Sequence, residues 1–206
     1  MHRHLRPLTF AALALLASAA VAAEGYRTIE GPTPGGDPDA VEVMEFFWYG
    51  CPHCHRFEPL LREWKNRERP DDVVFRYVPA VLSASWEVHA RAYYAAEVMG
   101  VLGRFHQAMY RALHEEQRQL DTATAIGEFA SSLGIDGERF VSTMNSFAVE
   151  TKLRQAKNLQ RAYGISGTPS VVIDGRYVTS PREAGDFDRM IEVINERVAA
   201  LRGESG

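Results

Sequence analysis

Cysteine is scarce in this 206-residue chain: there are only two, Cys51 and Cys54, three positions apart. A pair that close shuts a tiny loop and removes little chain entropy, which excludes a framework of structural staples. A second cysteine pair is missing as well, and a structural zinc site needs four ligands. Cys51, Cys54 and His55 offer three at most, while His89, His106 and His114 show no pairing pattern, so no metal is expected. Positive charge is not in excess. Lys and Arg total 23 against 27 Asp and Glu, a formal charge of −4, so the chain lacks the basic face that broad nucleic-acid binding requires. No repeat period and no low-complexity tract is visible. The longest apolar run, Leu8 to Ala23, has 16 residues, short of the roughly 20 that span a bilayer.

What is present is an ordinary globular composition, 46% apolar and 24% charged, in a length that suits one domain or one domain with a sizeable insertion. The apolar run follows Arg3 and Arg6 and ends in small residues, either Ala20-Val21-Ala22 or Val21-Ala22-Ala23. That layout predicts a secretory signal peptide over residues 1–23; a membrane anchor is the alternative, disfavoured by the length. Removing it takes away Arg3 and Arg6 but no acid, so the formal charge moves from −4 to −6. An exported chain meets an oxidising compartment. Two lone thiols there, too close to act as a staple, point to chemistry.

Val41 to Phe47 is β-branched and aromatic and predicts a strand, broken by Gly50. Tyr26 to Gly36 reads as an extended lead-in ending in turns. After the cysteines, Phe57, Leu60, Leu61 and Trp64 recur at helical spacing, so residues 52–67 predict an amphipathic helix, with Pro52 in its first turn and a kink at Pro59. Val73 to Val78 is a second strand. Residues 84–162 carry no strand signal and read as a helical block with helices over 86–101, 104–117, 122–133, 137–147 and 149–163. Ser170 to Asp174 returns to strand character. Asp174-Gly175 signals a hairpin whose return strand is 176–178, and 187–201 is a final amphipathic helix. The strand–helix–strand opening predicts a parallel pair, and the hairpin adds an antiparallel partner.

Cys51 then falls at the N-terminal end of the helix that begins at Pro52. Unpaired amides and the helix dipole there favour a thiolate, the reactive form of cysteine. Cys54 lies one turn further on the same side. Cys51 is the candidate for the attacked, accessible sulfur and Cys54 for the shielded one. His53, between them, would stabilise the Cys51 thiolate through its imidazolium or its N–H donors; an exposed loop histidine is the plain alternative. A stable thiolate makes the reduced form comfortable and the disulfide a strong oxidant. Glu45 shares a strand face with Val41, Val43 and Phe47 by period-two alternation, a costly place for a carboxylate. Placed there it would sit beneath the helix with a raised pKa and exchange protons with Cys54; a strand-end glutamate reaching solvent is the other reading. In Gly167-Thr168-Pro169 the X-Pro bond before a strand is a cis candidate. Free backbone groups of Thr168 could pair with an extended substrate, though the same residues also suit an ordinary turn.

Glu45-Phe46-Phe47, Cys51-Pro52-His53-Cys54, Phe57-Glu58 and the Thr168-Pro169 loop together resemble the DsbA-type periplasmic thiol:disulfide interchange proteins of the thioredoxin superfamily, from about Tyr26 to Leu201. The resemblance implies an α/β fold: a thioredoxin domain over 24–83 and 163–206 with a helical insertion over 84–162. It implies Cys51 as nucleophile, Cys54 as resolving thiol, Glu45 as the buried acid in a proton relay, and Thr168 with cis-Pro169 as the substrate-binding loop. His53 joins the two cysteines as a candidate catalytic residue. It further implies a periplasmic, monomeric disulfide oxidase without a cofactor. Its expected partners are reduced, unfolded secreted proteins and a quinone-linked inner-membrane reoxidase of the DsbB type. Thr168 departs from members that carry Val before the proline. Isomerases of that compartment resemble dimers with an N-terminal dimerisation domain, for which residues 24–40 are too few.

Overall fold

The computed structural model describes residues 24–30 and 40–204. The expected signal segment 1–23 and the turn-rich residues 31–36 lie outside the described residues. Five strands, β1 (Arg27–Thr28), β2 (Glu42–Phe47), β3 (Val74–Pro79), β4 (Ser170–Ile173) and β5 (Tyr177–Thr179), form one mixed sheet in the order β1-β5-β4-β2-β3. β2 is central. It runs parallel to β3, with Glu45 opposite Tyr77, and antiparallel to β4, with Glu45 opposite Val171. Every residue of β2 is buried, the pattern of a strand covered on both faces.

Two apolar clusters cover those faces. On one side Val43, Val171 and Ile173 pack against Phe57, Leu61 and Trp64 of α1 (Pro52–Glu63) and its extension, and against Met190, Val193 and Ile194 of the last helix. On the other side Met44, Phe46 and Val172 join a larger cluster that includes Cys51, Cys54 and much of the helical block. The site therefore stands where the sheet, α1 and the block share one core.

That block comprises α2 (Glu87–Val98), α3 (Leu102–His114), α4 (Ala123–Ser132), α5 (Gly137–Met144) and α6 (Phe147–Ala162), all between β3 and β4 in the chain. Its helix starts carry side-chain caps: Thr122 accepts from the Ala125 amide, Asp136 from Arg139 and Ser146 from Val149. α2 is lined by buried Ala90, Ala92, Ala95 and Ala96, small residues that let neighbouring helices approach closely. Glu87 on α2 takes Arg91 at 2.8 Å and Lys157 of α6 at 2.7 Å, tying the block together.

Several boundaries differ from the sequence expectation for local reasons. The first helix passes through Pro59 and then widens into a single π turn, Trp64–Glu68, closed by the Arg69 amide on the Trp64 carbonyl at 2.8 Å. The Ser146 cap begins α6 at Phe147, three positions after α5 ends, so Phe147 belongs to the later helix rather than the earlier one. The hairpin turns on Asp174 and Gly175, both in the left-handed region (φ 53° and 65°), as a tight primed turn requires. A short α7 (Pro181–Ala184), capped by Ser180, precedes α8 (Phe187–Glu204). No helix among the described residues is long and apolar enough to cross a membrane.

Candidate active site

β2 ends at Phe47 and delivers the chain to a turn in which the Cys51 amide donates to the Trp48 carbonyl at 3.0 Å. Gly50 is required here: a Cβ would lie 2.4 Å from the Trp48 indole, which is held flat against Trp86 with ring centroids 4.2 Å apart. Cys51 itself is the N-cap of α1, with extended backbone (φ −85°, ψ 116°) and no capping side chain on the helix. The first-turn amides are thus left facing the sulfur. Pro52 opens the helix, where its missing N–H costs nothing.

Both cysteines are free thiols. Cys51 is 7% exposed and Cys54 is fully buried. The Cys51 thiol is pulled down to about 5, chiefly because the Cys54 thiol hydrogen-bonds to its sulfur; burial opposes this, and the Thr168 side chain and the amides of Cys54 and His53 assist it. Cys54 moves the other way: burial pushes its thiol well up, and its bond to Cys51 and the nearby Glu45 charge add to the rise. Two chemically identical groups are driven apart by environment, the signature of a pair with divided roles.

Thr168-Pro169 is a cis peptide and brings the Thr168 carbonyl oxygen to 3.4 Å from Cys51 Sγ. The loop and Cys51, 117 residues apart in sequence, therefore meet. Glu45 is 1% exposed, and neither of its carboxylate oxygens has a hydrogen-bond partner in the protein. Burial raises its pKa strongly; the charges of Glu58 and Cys51 add to the rise and Lys65 opposes it. His53 is placed differently from the simplest expectation. Its imidazole is exposed, with Nδ1 3.0 Å from Arg56 Nη2 and the ring edge-on to Phe187. The donor it turns toward the sulfur is its backbone amide.

Sequence reasoning missed the polar cluster behind Cys54. Glu58, 6% exposed, accepts the Tyr77 hydroxyl at 3.0 and 3.2 Å, and Lys65 Nζ reaches that hydroxyl at 3.4 Å. Buried His106 stands with Nε2 3.7 Å from Glu58 and Nδ1 2.9 Å from the Tyr49 hydroxyl. A cavity of about 230 Å³ between α1 and α3, lined by Glu58, Tyr110, His55, Arg62 and Glu115, runs from this cluster toward the surface. Glu58 entered the sequence reading only within the Phe57-Glu58 pair, with no role assigned, and His106 and Tyr77 come from other elements. Among the described residues, no group of three or more His, Cys, Asp and Glu is arranged to hold a metal ion.

Comparison with known proteins agrees with this geometry. The family model described as "DSBA-like thioredoxin domain" matches residues 72–190. The thiol:disulfide interchange protein DsbA of Pseudomonas aeruginosa is 36% identical over 186 residues, covering 88% of each chain. That of Bordetella parapertussis is 36% identical over 203 residues, covering 97% of this chain and 96% of the relative. The crystal structure of the oxidoreductase DsbA from Xylella fastidiosa superposes with a TM-score of 0.81 at 34% identity, over 87% of this chain and 96% of that one. With the cysteine pair at the start of α1, the cis-proline loop against it and a helical block between β3 and β4, the chain belongs to the DSBA-like thioredoxin family.

Proposed function

We propose that the chain is a protein disulfide oxidase that donates the Cys51–Cys54 disulfide to reduced, newly exported proteins. The observation that carries this reading is the opposed titration of the two cysteines at the start of α1. A substrate thiolate attacks Cys51 Sγ of the oxidised enzyme, forming a mixed disulfide and releasing Cys54 as a thiolate. Because burial makes that thiolate strongly basic, it takes a proton, and Glu45, kept protonated by its own burial, is placed to supply it. A second substrate thiolate then attacks the substrate sulfur of the mixed disulfide. The product leaves with a new disulfide, and Cys51 departs as the stabilised anion. Two electrons pass from the substrate dithiol to the enzyme, and no cofactor takes part.

Glu58, beside Tyr77 and the cavity between α1 and α3, gives Glu45 a way to recover its proton from bulk water. Thr168 and Pro169 hold the incoming substrate against Cys51, and the His53 amide contributes to the anion site. The dithiol is returned to the disulfide by a quinone-linked inner-membrane reoxidase of the DsbB type, and the enzyme works as a periplasmic monomer. Residues 84–162 are an insertion into a thioredoxin domain formed by 24–83 and 163–206, since α2 to α6 lie between β3 and β4. The test is oxidation of a reduced, unfolded two-cysteine substrate: Cys51→Ser should abolish it, and retained activity would end this reading.

A further inference from the structure

A groove of about 620 Å³ runs beside the Thr168–Pro169 loop, and much of its wall is polar: Arg27, Arg182, Glu183, Ser166 and Ser180 stand with His53 around it. Its charges do not cancel. Arg27 faces Glu183 at 3.8 Å and gives Nη2 to the carbonyls of Tyr163 and Gly164 at 2.8 and 3.1 Å. Glu183, the one acid in the lining, also takes the Ser180 hydroxyl. Arg182 is different. It is exposed on the short α7, its backbone amide is used by the Ser180 cap, and no hydrogen bond or ion pair among the described residues engages its guanidinium. Asp186, which follows α7, is turned to the Arg189 amide at 2.7 Å. His53, which also lines the groove, adjoins Arg56, whose guanidinium lies over Phe187. Cations thus outnumber the single acid in and beside this groove, in a chain whose overall charge is negative.

We propose that this groove selects substrate segments that carry a carboxylate within a few residues of the reacting cysteine, with Arg182 as the specificity-determining residue. The proposal rests on the oxidase reading above and names the substrate class of the same site. An extended peptide advances about 3.3 Å per residue, so a cysteine held at Thr168–Pro169 places its near neighbours along the groove. A guanidinium offers a carboxylate two parallel donors, a match a lysine or a neutral side chain lacks. The pair forms at an open rim, so its effect is modest, falls with salt, and acts on capture of substrate rather than on sulfur chemistry.

The test uses reduced two-cysteine peptides in which a single Glu, Gln or Lys is walked through the four positions on either side of the first cysteine. At low ionic strength, kcat/KM of the wild-type protein should favour Glu over Lys by about three- to ten-fold at one or two positions. The preference should shrink to near unity in concentrated salt. Arg182→Gln should erase it and Arg182→Glu should reverse it. Arg154→Glu, an equal charge change at an exposed position on α6, should leave it intact. Equal rates for the Glu and Lys peptides at every position, with the Gln peptides still oxidised, would overturn the proposal and leave the oxidase reading standing. Failure of the wild-type protein to oxidise any peptide would instead overturn the oxidase reading, and this proposal with it. A preference that survives in Arg182→Glu would also overturn it.

Discussion

The Cys51 anion should stabilise the reduced form increasingly as pH rises, while buried Glu45, whose pKa is raised, works in the opposite direction over part of the same range. Cys51 titrates at about 5 instead of 9.0, so the folded dithiol holds its anion where the unfolded chain holds a neutral thiol. A group whose pKa is depressed on folding contributes stability that is complete above the unfolded value and is lost as pH falls through the folded one. The relevant window is therefore pH 5 to 9. Each unit within it is worth about 1.4 kcal/mol, so between pH 5 and pH 7 the contribution should grow by about 2 kcal/mol. Cys51 is only 7% exposed, so solvent screening takes little from this figure. Urea unfolding of the wild-type protein, kept reduced, measures the change when set beside Cys51→Ala at the same two pH values. The difference between the proteins cancels the titrating groups that do not interact with Cys51, and repeating the comparison in a Glu45→Gln background removes the coupled carboxyl, which the Cys51 charge pushes up. A pH-dependent difference below about 0.5 kcal/mol would refute the assignment of the anion to Cys51.

Further outcomes follow from the same site. Glu45→Leu should raise folding stability by about 1–3 kcal/mol in urea titration, because it removes a buried carboxyl without a protein partner. The same variant should slow substrate oxidation and alter its pH profile, and an unaltered profile would remove Glu45 from the relay. Thr168→Val deletes a hydroxyl that helps hold the Cys51 anion, so thiolate absorbance should titrate at higher pH, by up to about one unit; an unmoved titration would contradict that role. Phe47→Ala should cost about 3–5 kcal/mol, since Phe47 is fully buried among Tyr49, Tyr77, Tyr93 and His106. A thermal melt within a degree or two of wild type would show that this ring is not part of the core.

The features legible in the sequence were those encoded locally. The β2 strand, the Cys51-Pro52-His53-Cys54 start of α1, the Asp174-Gly175 turn and the cis bond at Pro169 each follow from neighbouring residues or from the backbone rules for proline and glycine. Glu45 could be placed by alternation because a strand has a fixed period of two. What escaped was assembled from distant segments. Glu58 could be seen only as half of the Phe57-Glu58 pair, without a role; its meaning depends on Tyr77 from β3 and His106 from α3, and no spacing links those three residues. His53 shows the limit from the other direction. Its place between the cysteines is plain in the sequence, yet the sequence cannot say whether the imidazole or the amide faces the sulfur, and here the imidazole turns out toward Arg56. Arg182 belongs to a four-residue helix too short to leave a periodic signal.

The most direct test of the central claim is the equilibrium of the Cys51–Cys54 couple with glutathione. A sulfur held as an anion in the reduced protein makes the disulfide easy to give away, so the couple should be strongly oxidising, with a potential above roughly −180 mV. A value near −270 mV, the range of a reducing thioredoxin, would contradict it, because the Cys51 thiolate would then confer no advantage on the dithiol form.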